Sequence, residues 1–78
     1  MKAKFSVVLY PQPGGGFTAI CPEIRGCVAQ GETYEEAMDM IKDAMEGLLQ
    51  LEVDLDLLLE GLAVPNKIFT EVEIDVNV

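Results

Sequence analysis

Apolar and polar positions alternate from residue 3 to residue 10, with Phe5, Val7 and Leu9 on one side and Lys4, Ser6, Val8 and Tyr10 on the other. A period of two is strand periodicity, so Phe5, Val7 and Leu9 are expected to face a core. Pro11-Gln12-Pro13-Gly14-Gly15-Gly16 ends the run: the prolines have no amide to donate and the glycines permit positive φ, which predicts a turn. Residues 17–21 return as a second strand, residues 22–26 form a short corner, and residues 27–30 make a third strand that Gly31 stops. The opening is therefore predicted to be a three-stranded antiparallel meander.

The period lengthens after Gly31. Thr33-Tyr34-Glu35-Glu36 is a capping box, in which the Thr33 hydroxyl accepts from the Glu36 amide and Glu35 and Glu36 suit the positive end of the helix dipole. A helix is predicted from there to about Glu52. Ala37, Ile41, Ala44, Leu48 and Leu51 fall on one stripe, flanked by Met38, Met45 and Leu49, while Glu36, Asp39, Asp43, Glu46 and Gln50 gather opposite. Met38 and Met45 are expected in the core, with Met40 left open.

Residues 54–60 either extend this helix or form a short second one; we favour the second, capped by Asp54 and stopped by Gly61. After the connector Val64-Pro65-Asn66-Lys67, strict alternation through Glu71, Val72, Glu73, Ile74, Asp75 and Val76 predicts a last strand with one apolar and one acidic face. The fold class is α+β, an antiparallel sheet of order βββαβ with one main helix packed on one face, and residues 1–78 form a single domain.

A sheet covered by one helix leaves its other face open. Val8, Tyr10, Ile20 and Val28 point that way and are the candidate interface of a homo-oligomer, a dimer or tetramer. Lys2 and Lys4 share their side of the first strand, and Glu71, Glu73 and Asp75 share theirs on the last. Pairing these two strands would set opposite charges across the ladder, each exposed pair contributing about 0.2 to 1 kcal/mol.

Composition narrows the chemistry. The 78 residues carry 14 acids against 5 bases, a net charge of -9, with half of the positions apolar. Such a chain has enough apolar surface to fold, in one thin core. Its scattered Lys2, Lys4, Arg25, Lys42 and Lys67 argue against direct nucleic-acid binding and favour a basic partner. The apolar run at residues 7–10 is too short for a signal peptide or a membrane span, so a cytoplasmic location is expected.

With no His and a single Ser, a Ser-His-Asp or Cys-His arrangement is excluded, and no catalytic residue is assigned. Cys21 and Cys27 are expected as buried or half-buried free thiols rather than a bridge, and neither a metal nor a cofactor is expected. Asp39 and Asp43 stand one turn apart, as metal-sharing carboxylates do, but an amphipathic helix needs a solvated acidic face in any case. The three glycines lead into a strand rather than a helix N-terminus, so they read as a turn and not as a phosphate cradle.

The segment Phe17-Thr18-Ala19-Ile20-Cys21-Pro22-Glu23-Ile24-Arg25-Gly26-Cys27-Val28-Ala29-Gln30-Gly31-Glu32-Thr33 resembles the signature of the HicB-like antitoxins, as does Tyr34-Glu35-Glu36-Ala37 with the helix to Leu49. The resemblance covers nearly the whole chain, in the short form without a C-terminal DNA-binding segment, so autorepression by this chain alone is not expected. It implies a degraded ribonuclease H-like fold without catalysis. It also implies a protein that neutralises a small basic RNA-cleaving toxin of a type II toxin-antitoxin system. Glu36, Asp39, Asp43 and Glu46 are the candidate contacts for such a toxin, because a dense anionic face speeds encounter with a cationic protein. The alternative is an orphan oligomeric module that senses a small ligand.

Overall fold

The computed structural model describes residues 2–48 and 53–75. They form β1 (Lys2–Pro11), β2 (Phe17–Ile20), β3 (Val28–Gly31), α1 (Tyr34–Leu48), α2 (Leu55–Ala63) and β4 (Ile68–Asp75). The strands make one antiparallel sheet in the order β3-β2-β1-β4, an α+β architecture with the main helix packed on the sheet. Among the described residues no helix is long and apolar enough to cross a membrane.

The turn after β1 closes as its residues dictate: the Gln12 amide donates to the Gly16 carbonyl at 2.9 Å, and Gly15, at φ 102°, donates to Gln12 at 3.0 Å. It sets Leu9 opposite Ala19, and Ala19 in turn lies opposite Ala29. On the other side of β1, Phe5 lies opposite Val72 and Ala3 opposite Ile74. These cross-strand neighbours share one face, and α1 lies on it through Ala37, Ile41 and Met45, all fully buried. Lys2, Lys4 and Ser6 pair with Asp75, Glu73 and Glu71, so the opposite charges do meet across the β1 and β4 ladder, and Lys2 bridges diagonally to Glu73 at 3.8 Å.

α1 begins where the capping box requires. The Glu36 amide donates to the Thr33 hydroxyl at 3.1 Å, and the Ala37 amide donates to the Thr33 carbonyl at 3.0 Å. The buried line then follows Ala37, Ile41 and Met45. Steps of four residues drift round the helix by about 40° each, which carries the packed face away from Leu48; that residue, expected on the stripe, is 42% exposed. Met38 packs against the core and Met40 faces outward. Leu49, Gln50 and Leu51, the expected helix end at Glu52, and Val76 of the last strand lie outside the described residues.

Two expectations change. Gly61 does not stop the second helix: it is buried inside α2, which runs on to Ala63. Nor is the second face of the sheet open. α2 lies across it, so Val8, Tyr10 and Ile20 are buried, and of the four residues expected there only Val28 remains exposed. A Cβ at Gly61 would press on this floor, 2.8 Å from Ile20 Cδ1 at the end of that side chain, and would meet Val8 in ordinary contact at 3.6 Å. Glycine is what lets the helix backbone approach the sheet so closely.

Candidate partner-binding surfaces

The first candidate surface is the outer face of α1. Glu36, Asp39, Asp43 and Glu46 are all exposed. At 100° per residue they fall within an arc of about 80°. The helix holds them rigidly because its opposite side is locked into the core by Ala37, Ile41 and Met45. Such a row of carboxylates, with Met40 half exposed beside it, presents a concentrated anionic field to an approaching cationic surface.

The second surface is built by α2, and one carboxylate organises it. Asp54 accepts from the amides of Asp56 at 3.1 Å and Leu57 at 3.3 Å, which caps the helix as its position predicts. Its other oxygen accepts from the Gly26 amide at 3.2 Å, and its own amide donates to the Pro22 carbonyl at 2.8 Å. The corner between β2 and β3 thus fastens the start of α2. At the far end the Tyr10 hydroxyl donates to the Glu60 carboxylate at 3.1 Å, and Lys67 donates to the carbonyls of Leu62 and Val64 at 3.2 and 3.3 Å. Burial, then the hydrogen bond and charge of Glu60, push the Tyr10 phenol above its usual value.

Hydrogen bonds from the Leu57 amide above all, then from Gly26 and Asp56, with the charge of Arg25, hold Asp54 below the usual carboxylate range. A depressed folded-state pKa stabilises the native state above the unfolded value, about 3.9, and that contribution disappears as the pH falls through the folded value. Asp54→Asn keeps an accepting oxygen without the charge. Its thermal midpoint is therefore expected to fall less steeply than that of the wild type below about pH 4. Parallel curves would show that the charge does not anchor α2.

Beside the exposed Asp56 and Glu60, α2 leaves an apolar stripe outward. Leu55, Leu59 and Leu62 are 66%, 63% and 53% exposed, and Phe69 at the edge of the sheet is 58% exposed. Neither this surface nor the Asp54 junction was read from the sequence. The available signal was an apolar arc wider than a single buried stripe, with leucines everywhere except on the side of Asp56 and Glu60.

The remaining features offer little chemistry. Cys21 and Cys27 are free and fully buried, held side by side by the Cys21 amide donating to the Cys27 carbonyl at 3.0 Å. The Cys21 side chain and burial drive the Cys27 thiol far above its ordinary value, so it does not ionise as a nucleophile at neutral pH. Among the described residues no group of three metal-ligating side chains converges. A depression of about 520 Å³ lies between the glycine turn and the start of α1, where Glu32 and Glu36 make its wall unfavourable for phosphate.

No family model matches the chain. It is 43% identical over 42 residues to a UPF0150 protein of Synechocystis, an alignment that spans about half of each protein (54% of this chain and 53% of the relative). A second Synechocystis UPF0150 protein is 38% identical over 50 residues, or 64% of this chain and 69% of the relative. A UPF0150 protein of Helicobacter pylori is 42% identical over 60 residues, 76% of this chain and 79% of the relative. Identity at that level across most of the relative's length places the chain in the UPF0150 family.

Proposed function

We propose that this protein is a non-enzymatic, HicB-like antitoxin that binds and neutralises a small basic RNA-cleaving toxin. The observation that carries the reading is the alignment of Glu36, Asp39, Asp43 and Glu46 on one exposed face of α1, in a chain of net charge -9. A toxin that cleaves RNA must present cations to phosphates, and an acidic face held rigid by the core competes for those cations while excluding the nucleic acid. The chain itself contributes binding rather than chemistry and does not contact nucleic acid directly.

The test is to tag the protein in its native host, recover a basic protein held in fixed ratio, separate the two and measure RNA cleavage. The released partner is expected to cut RNA, and adding the chain back is expected to stop it. Asp39→Lys with Asp43→Lys is expected to slow association by about tenfold or more at low salt and by less at high salt, with the thermal midpoint unchanged. Association independent of both salt and these charges, or a partner without RNA-cleaving activity, would overturn the reading.

A further inference from the structure

We propose that α2 is the contact element of a reversible homodimer, its leucine face packed antiparallel against α2 of a second copy. Leu55, Leu59 and Leu62 are spaced four and three residues apart, which puts them within an arc of about 60°. Gly61, the point of closest approach to the sheet, lies on the opposite side of the helix. Phe69 extends the stripe at its C-terminal end: Lys67 Nζ sits 3.2 Å from the Leu62 carbonyl and 5.9 Å from the centre of the Phe69 ring. The sheet therefore buries one apolar side of α2 and leaves another of equal character outward.

A second copy fits this surface because the surface complements itself. Four-three spacing is that of a helix-helix seam, and a two-fold axis through Leu59 sets Leu59 against Leu59 and Leu55 against Leu62. The ends of the element differ in sign: Asp56 lies in the first turn, and Lys67 caps the carbonyls of the last. Antiparallel packing brings the acid of one copy toward the lysine of the other and opposes the two helix dipoles. The charges within α2, Asp56 and Glu60, flank the seam without entering it. α1 has no such option, since pairing its outer face with itself would stack Glu36, Asp39, Asp43 and Glu46 on their own copies.

Area sets the strength. The exposed portions of three leucines and one phenylalanine amount to on the order of 400 Å² per copy, about half the roughly 800 Å² each partner contributes to a standard stable interface. The dimer is accordingly expected to dissociate in the micromolar range. This contact uses a different helix from the acidic face and stands whether or not the toxin reading does.

Sedimentation from about 1 to 300 µM is expected to show the wild type passing from monomer to dimer across that range. Leu59→Lys is expected to remain monomeric, with an unchanged thermal midpoint at the low concentrations where the wild type is also monomeric, because the side chain it replaces is largely exposed. Leu59→Cys is expected to cross-link to itself under mild oxidation, whereas Asp43→Cys on the outer face of α1 is not. A wild type monomeric throughout, a dimer indifferent to Leu59→Lys, or equal cross-linking at both cysteines would overturn the proposal. A monomer that instead binds a cationic amphipathic leucine-lysine peptide through Leu59 would also overturn it, and would assign the face to a basic partner.

Discussion

Gly31→Ala is expected to be the most damaging small substitution in this protein, costing about 3 kcal/mol or more of its stability. A Cβ at Gly31 would lie 2.4 Å from the Ala37 amide nitrogen, 2.8 Å from the Glu36 carbonyl carbon and 2.9 Å from Ala37 Cα. All three atoms belong to the α1 backbone, so no side-chain rotation relieves the collision and the first turn of the helix must lift from β3. Lifting it exposes Ala37 and opens the edge-on contact of Phe17 with Tyr34, whose ring centres are 6.3 Å apart. In urea the midpoint should fall sharply with little change in slope. Gly14→Ala is the control: nothing lies within 4 Å of a Cβ there, and a change within about 0.5 kcal/mol is expected. A Gly31→Ala midpoint equal to that of the control would show that α1 does not sit this close to the sheet.

Ile41→Ala is expected to cost a comparable amount, about 2 to 5 kcal/mol, by emptying the middle of the fully buried line along which α1 meets the sheet. Ile41 is fully buried within the cluster of Phe5, Val7, Leu9, Ala19, Val72 and Ile74. A small protein has about 5 to 15 kcal/mol of net stability, so this loss leaves a substantial unfolded fraction at physiological temperature. Met40→Ala, one residue earlier and half exposed, should be nearly silent in the same denaturation series. The acidic face depends on the same packing, so Ile41→Ala should also blunt any charge-dependent association by freeing Asp39 and Asp43 from a fixed helix.

The contrast between these residues shows how much of the candidate surfaces was legible. The α1 acids were placed correctly because a capping box and helical spacing are local: Thr33 contacts Glu36, and every residue on the face is positioned by its near neighbours. The proposed oligomer face was not, because its accessibility depended on where a distant segment came to rest. Val8, Tyr10 and Ile20 do share one face of the sheet, as alternation requires, but α2 buries them. Five of the nine residues of α2 are leucines, spread round all of the helix except the side of Asp56 and Glu60, so periodicity could not tell which apolar side would meet the sheet, and Gly61 looks like a helix stop until the sheet beneath it is seen.

By itself, then, the amino-acid order determined the strands of the meander, the start of α1, its buried and acidic sides, and the charge match that suits β1 to β4, where Lys2 and Lys4 come to lie opposite Asp75 and Glu73. These follow from periodicity, capping and charge, which act over a few residues or along a single ladder. Only the tertiary structure decided that α2 closes the second face of the sheet and that its leucine side is the one left exposed. Those outcomes rest on Asp54 meeting Pro22 and Gly26, and on Tyr10 meeting Glu60, contacts between residues 28 to 50 positions apart. No local pattern encodes such a meeting, because its energy is realised only when the packed backbone brings the donor and acceptor within reach.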